Sequence, residues 1–257
     1  MFPYRDENET VRAPVVTVAI IVVTALVWIL VQGAGASYQL AASVCNFGLI
    51  PGELTLSVKA GAGFAMGEGL SCLMDEGRAS EHVLYSIFLH GSWMHILGNM
   101  WFLWIFGNNV EDSMGRVRFV AFYLLCGIAA AAAQVLSDPS SMLPMVGASG
   151  AIGGVMGAYV VLYPRVRVYN AVFIGFFLTT IALPAWAMLG YWMLLQLLGG
   201  VASLARSGGG VAFWAHIGGF AAGALLIKLF ARGAYIAAHR ARTWAPQRLG
   251  FRRSGWR

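Results

Sequence analysis

The amino-acid sequence predicts an all-α membrane protein, a six-transmembrane-helix bundle with a large first external loop. Hydrophobic residues make up 59% of the 257 residues, charged residues make up 11%, and the mean hydropathy is +0.70. Soluble domains are about 45–50% apolar and about 25% charged. Several apolar runs approach the roughly 20 residues that cross a bilayer. So few charges exclude disordered proteins, nucleic-acid-binding domains and disulfide-rich scaffolds.

The predicted elements follow one another in three parts. Residues 1–13 form a charged cytoplasmic head, which places the first apolar run too far from the start for a cleaved signal peptide. Residues 14–231 form the membrane domain, in which the charged segment 33–90 is the external loop. Residues 232–257 form a basic cytoplasmic tail, which is expected to bind lipid headgroups. The predicted spans are about 14–32, 93–110, 117–136, 146–163, 184–204 and 211–231.

The run Ala171–Leu183 is apolar but too short for an ordinary span. It is expected to be an interfacial or re-entrant piece, or a further span beside the helix that follows. Six spans with both termini inside place 14 of the 17 basic residues in the cytoplasm, leaving Lys59, Arg78 and Arg206 outside. A seventh span would move the basic residues from Lys228 onward outside. The positive-inside rule therefore favours six spans.

The three cysteines leave two alternatives open. Cys45 and Cys72 both fall in the external loop, whereas Cys126 falls in the third span. The first two can pair in an oxidising compartment, or all three can be free thiols, because sequence does not give the Cα separation that a disulfide needs. No cluster of Cys and His residues indicates a metal site.

Polar side chains within apolar spans are costly and mark candidate functional sites. A lone Ser or His is more often a packing residue. Here, however, spans two, four and six run in the same direction, which puts His95, Ser149 and His216 within roughly one helical turn of the same depth, near the outer face. Asn99 lies one turn below His95 on the same helix face. Small residues spaced four apart let the helix backbones approach closely enough for a Ser–His hydrogen bond. These pairs are Gly150/Gly154, Gly153/Gly157 and Gly219/Gly223, and the remaining polar residues in spans are Gln134 and Gln196.

The same residues stand in recognisable motifs. HGSWMHILGNM (90–100), GNNVED (107–112), GASG (147–150) and AHIGG (215–219) resemble the signature of the rhomboid intramembrane serine proteases, over roughly residues 83–225. The resemblance implies that Ser149 is the nucleophile and His216 the general base. It also implies that His95, Asn99 and the Ser149 backbone N–H stabilise the oxyanion, with no cofactor and no metal.

The implied function is a serine endopeptidase that cleaves single-pass transmembrane substrates near the outer face. Its expected partners are those substrates and membrane lipids, not nucleic acid, and its expected location is a bacterial inner membrane. The competing hypotheses are an inactive relative that binds transmembrane helices and a small transporter or channel.

Two departures from the family pattern stand out, at Glu81-His82 in the external loop and at Gly153. Many family members carry a Trp-Arg pair at the first position, and some carry an aromatic residue at the second, against which the histidine packs. Another group must therefore hold His216. Four further residues receive structural interpretations: His90 supports the loop entering span two, Glu111 and Asp112 are a cytoplasmic loop and helix-start feature, and His239 belongs to the tail.

Overall fold

A computed structural model describes residues 2–67, 69–74, 80–203 and 211–243, and most of these residues are helical. The helices are α1 (Val15–Leu30), α2 (Ser37–Phe47), α3 (Pro51–Leu54), α4 (His82–Tyr85), α5 (Trp93–Met114), α6 (Arg116–Ser137), α7 (Ser149–Leu162), α8 (Ala185–Ser203), α9 (Phe213–Phe230) and α10 (Gly233–Thr243). The strands are β1 (Phe2–Asp6), β2 (Gly63–Gly67), β3 (Leu70–Leu73), β4 (Arg167–Ile174) and β5 (Phe177–Pro184). Four positions or segments of the sequence predictions lie outside the described residues: Arg78, Leu204, Arg206 and the tail from 244 onward.

A helix lies over each of the six apolar runs. Within the described residues, α6, α8 and α9 are long and apolar enough to cross a membrane, and α1 and α7 are apolar but shorter. Helix α5 has 22 residues and carries an acidic pair in its last turn. The protein is therefore a mostly helical membrane protein.

Helices α6, α7 and α9 pack with their backbones almost in contact. A Cβ atom at Gly223 would lie 1.9 Å from the Gly154 carbonyl oxygen, and one at Gly219 would lie 2.0 Å from the Gly150 carbonyl oxygen. No side chain fits at either position, which confirms the close approach that the spacing of small residues predicts.

The segment 171–183 corrects the sequence prediction. Of the two alternatives that the sequence left open, the further span is wrong, because β4 and β5 form an antiparallel hairpin around Gly175, to which β1 of the head adds a third strand in the order β1-β4-β5. The chain is therefore not all-α. The other alternative, an interfacial or re-entrant piece, stays a prediction. The run is rich in β-branched and aromatic residues, which favour strands, and periodicity alone does not separate a short apolar strand from a helix.

The segment predicted to be the external loop is folded and cross-linked. A disulfide joins Cys45 of α2 to Cys72 of β3, whose Cα atoms are 5.6 Å apart, whereas Cys126 is a free, buried thiol. Of the two alternatives left open by the sequence, the structure shows the disulfide. Backbone hydrogen bonds between Leu49 and Met145 tie the loop to the segment before α7.

Glu111 and Asp112 do not lie in a loop, because both belong to the last turn of α5, where their side chains and that of His239 are buried. The expected helix-start role is confirmed for Glu111. Glu111 accepts hydrogen bonds from the backbone N–H groups of Val16 and Thr17, at 3.0 and 2.8 Å, and so satisfies the start of α1.

Asp112 joins the head, α5 and α10. It accepts hydrogen bonds from the Val11 and Arg12 backbones and from the Arg12 guanidinium, and His239 Nδ1 lies 3.0 Å away. His239 Nε2 lies 2.7 Å from Asn8 Oδ1. His239 therefore lies within the segment predicted as the tail, yet it is a buried link between elements far apart in the chain.

Candidate active site

Ser149 is the first residue of α7, and a strained turn brings it there. Gly147 has φ +128°, a conformation that side chains rarely adopt, and its N–H donates to the Ser86 carbonyl at 2.9 Å. A Cβ atom at Gly147 would lie 2.8 Å from the His95 ring. Glycine thus permits both the turn and the close approach of His95, and it leaves the Ser149 hydroxyl at the positive end of the α7 dipole.

His216 lies in the first turn of α9, and its ring reaches Ser149. Ser149 Oγ is 2.7 Å from His216 Nε2. Gln134 of α6 supports the start of α9, because its Oε1 accepts a hydrogen bond from the Ala215 N–H at 3.3 Å. The two residues that the sequence predicts as nucleophile and base are therefore hydrogen-bonded across two helices.

The other ring nitrogen of His216 contacts Gln196 of α8, since Nδ1 lies 2.8 Å from Gln196 Oε1. An amide oxygen only accepts, so this contact favours the tautomer with hydrogen on Nδ1 and leaves Nε2 free to accept from the serine hydroxyl.

Trp192, one turn earlier on α8, supports both partners. Its carbonyl accepts from Gln196 Nε2 at 3.4 Å, and its ring centroid is 5.7 Å from that of His216. Helix α8 therefore supplies the packing that an aromatic residue at position 153 would otherwise supply. At Gly153 itself, a Cβ atom would lie 3.0 Å from the His216 carbonyl oxygen.

Sequence reasoning counted Gln196 among the polar residues in spans but gave it no role. The signal that marks it is the spacing of Trp192 and Gln196. Four residues apart on a helix, they share one face.

Helix α5 presents His95 and Asn99 on the side of the site. The helix begins at Ser92, whose hydroxyl accepts from the His95 N–H at 3.2 Å, and His95 Nδ1 accepts from the Gly91 N–H at 3.3 Å. Asn99 is buried, and its Nδ2 has no hydrogen-bond partner among the described residues. That side chain therefore keeps a donor available.

His90 supports the entry to α5. Its backbone exchanges two hydrogen bonds of 2.8 Å with the Gln32 side chain, and its ring packs 5.0 Å from that of His95. Burial lowers the pKa of His90 to about 3, which keeps the ring neutral beside His95. Its contacts agree with the structural interpretation of this residue.

A small cavity of about 20 Å³ adjoins Ser149, with Ser86, Gly147 and Ala215 among its lining residues. That volume accommodates about one water molecule. A partly exposed hydroxyl, a hydrogen-bonded imidazole, an available amide donor and room for water together suit acyl transfer by a serine nucleophile.

Known proteins are similar to this chain in the region that contains the candidate active site. The family model described as Rhomboid domain matches residues 79–233, which include all four predicted site residues. RHOMBOID-like protein 5 of Arabidopsis thaliana is 34% identical over 86 residues, covering 34% of this chain and 28% of that protein. Rhomboid protein 1, mitochondrial, of Saccharomyces cerevisiae is 30% identical over 95 residues, covering 35% of this chain and 28% of that protein.

Rhomboid-like protease 5 of Toxoplasma gondii is 33% identical over 82 residues, covering 30% of this chain and 9% of that protein. Each of these three alignments thus spans less than a third of the relative's length. The family model, in contrast, covers more than half of this chain and contains the motifs that meet at Ser149. The chain therefore belongs to the rhomboid family.

Proposed function

We propose that the protein is an intramembrane serine protease in which Ser149 is the nucleophile and His216 the general base. The observation that carries the proposal is the 2.7 Å contact between Ser149 Oγ and His216 Nε2. That pairing joins a weak nucleophile to a base within proton-transfer distance.

The geometry supports a two-step mechanism. His216 Nε2 takes the Ser149 proton while Oγ attacks the substrate carbonyl, and Gln196 steadies the ring through Nδ1–H. The Asn99 amide, the His95 ring and the Ser149 N–H stabilise the oxyanion. The proton on Nε2 then passes to the leaving amine, which gives an acyl-enzyme. Water activated by His216 hydrolyses this ester and restores Ser149.

The proposed orientation has six spans with both termini in the cytoplasm of a bacterium, and places the site near the outer face of the inner membrane. Substrates are single-pass proteins whose transmembrane helix unwinds near its outer end. Unwinding is needed because a peptide bond within a helix is shielded from attack by Ser149, and it occurs near the end because hydrocarbon offers no hydrogen-bond partners to an unwound backbone. Gly and Pro near the cut lower the cost of unwinding, and the small residues around Ser149 favour a small residue before the cut.

The test is cleavage of a model single-pass substrate by the full chain in proteoliposomes, together with labelling by a fluorophosphonate probe. Ser149→Ala is expected to abolish both, without loss of thermal stability. Ser113→Ala is the matched control, since its buried hydroxyl bonds only to the Val110 carbonyl near the other end of α5.

Three results would contradict the proposal. Residual turnover of Ser149→Ala above about 1% is too much for an enzyme lacking its nucleophile. Absence of both cleavage and labelling in the wild type would favour the alternative, an inactive rhomboid-like protein that binds transmembrane helices. Cleavage at the cytoplasmic end of the substrate helix would contradict the orientation.

A further inference from the structure

A second cavity lies at the end of the bundle remote from Ser149. It has a volume of about 330 Å³ and forms where α5 ends, α6 begins and α10 follows α9. The rise of α5 between His95 and Asp112 places it about 25 Å from the site already described. Four arginines line it: Arg12, Arg116, Arg118 and Arg232.

The charges around this arginine cavity do not balance. Its two carboxylates, Glu111 and Asp112, are occupied by partners within the protein: Glu111 binds the start of α1, and Asp112 binds the head and the Arg12 guanidinium at 2.9 Å. The remaining arginines therefore leave an excess of positive charge. Guanidinium groups that share a cavity repel one another unless an anion lies between them.

Contacts within the protein hold the guanidinium groups in place. Arg12 stacks 3.6 Å above the Tyr235 ring, Arg232 donates to the Tyr235 hydroxyl at 3.2 Å, and Arg118 donates to the Phe230 carbonyl at 2.9 Å. Each contact uses only part of a group that carries five N–H donors. Arg116 makes no hydrogen bond or ion pair with any described residue. The cavity thus presents three guanidinium groups that are held in place and keep spare donors, together with Arg116, which is unpaired among the described residues.

The start of α6 adds backbone donors to the same wall. Gly115 precedes the helix and supplies no side-chain cap, and Gly115 to Arg118 all line the cavity. The first N–H groups of a helix have no acceptor within it and lie at the positive end of its dipole. With the arginines, they suit an oxyanion such as phosphate, which guanidinium groups bind through paired hydrogen bonds.

Exposed apolar side chains beside the cavity indicate what kind of molecule carries this phosphate. Val117, which itself lines the cavity, is 85% exposed, and Val120, about one turn later on α6, is 42% exposed. Cationic donors beside exposed aliphatic groups at the end of apolar helices match an amphiphile. We propose that the arginine cavity binds the phosphodiester headgroup of an anionic phospholipid, whose acyl chains lie against Val117 and the neighbouring apolar surface.

The experiment measures binding to the full chain in detergent micelles by native mass spectrometry, with thermal unfolding as a second readout. The ligands are dioleoyl-phosphatidylglycerol, dioleoyl-phosphatidylcholine and inorganic phosphate. The variants are Arg116→Gln and Arg116→Gln/Arg118→Gln. Arg165→Gln is the control, an exposed arginine at the same end of the bundle but outside the cavity.

Phosphatidylglycerol is expected to bind and stabilise the wild type, whereas phosphatidylcholine and phosphate have little effect. The double variant should weaken the apparent Kd for phosphatidylglycerol by roughly 10- to 30-fold, and the control by less than about twofold. If loss of the Arg118 bond to Phe230 unfolds the double variant, Arg116→Gln alone should weaken binding by roughly three- to fivefold.

The proposal would be overturned if the wild type and Arg116→Gln bound phosphatidylglycerol with equal affinity. It would also be overturned if the wild type bound phosphatidylcholine as tightly as phosphatidylglycerol. Saturable binding of phosphate that phosphatidylglycerol does not displace would show a site for a soluble anion instead. The readouts do not involve proteolysis, so the proposal stands or falls separately from the proposed function.

Discussion

One turn beyond His95 on α5, the buried Asn99 amide nitrogen has no partner among the described residues, whereas at the other end of α5 four donors converge on the single carboxylate of Asp112. One helix thus carries both an unused donor and a fully engaged acceptor. An unused donor costs stability but is available to a charge that develops during a reaction. Engaged carboxylates lock the head, α5 and α10 together. The two ends of α5 should therefore respond differently to substitution.

Asp112→Ala should produce the largest loss of stability. It leaves the buried His239 and the partly exposed Arg12 without their carboxylate. Breaking a cluster of which one partner keeps access to water costs about 3 kcal/mol. We expect a clear fall in Tm by thermal unfolding in detergent, while fluorophosphonate labelling per folded molecule stays near that of the wild type. Labelling that falls by as much as the stability would show that the two ends are not separable.

Asn99→Ala should show the reverse. Loss of one oxyanion donor lowers the cleavage rate by roughly 10²-fold, and Tm should hardly change because the amide donor has no partner to lose. Cleavage kinetics of the purified chain measure this effect, with Asn108→Ala on the same helix as the control. An unchanged rate would remove Asn99 from the site.

Gln196→Met should have a smaller effect on activity. Methionine keeps the volume but does not accept the Nδ1–H bond, so loss of a hydrogen bond worth about 1 kcal/mol should lower kcat about five- to tenfold. KM should stay unchanged, and Gln196→Glu should restore most of kcat, because a carboxylate also accepts from Nδ1–H. A rise in KM instead would assign Gln196 to substrate binding.

The smallest expected effect is the contribution of the Asp6 carboxyl to the pH dependence of stability. Burial raises its pKa to about 6, so between pH 4 and 6 the folded state binds more protons than the unfolded state, and stability falls as pH rises through 6. Lowering the pH from 7 to 5 should therefore stabilise the wild type by about 1 kcal/mol relative to Asp6→Asn. Thermal unfolding of both proteins at the two pH values measures the difference, and parallel profiles would contradict it.

Sequence reasoning succeeded where the physics is local. Hydropathy predicted the positions of the six apolar helices. The rise per residue of a helix predicted that Ser149 and His216 lie at the same depth in the bundle. Sequence reasoning failed where hydrogen-bond partners are distant in the chain, as with His239 and Asn8. It also failed where a short apolar run is compatible with both a helix and a strand, as in 171–183. Gln196 shows the intermediate case. Its spacing from Trp192 is readable, but its hydrogen bond to His216 depends on how α8 packs against α9.

The pairing of the head with late elements sets an order of events during synthesis. Phe2 to Asp6 are made before all of the helices, yet their partners in β4 are made only after α7, and the partner of Asn8, His239, lies 231 residues away. Such long-range contacts form slowly because the intervening chain must be placed first. The helices that carry Ser149 and His216 can thus meet in the bilayer before the head closes onto α5 and α10. The contacts of Asn8 and Asp112 with His239 are completed only after α9 has been made. A partly made chain that ends before α10 could therefore already contain the Ser149–His216 pair without these contacts.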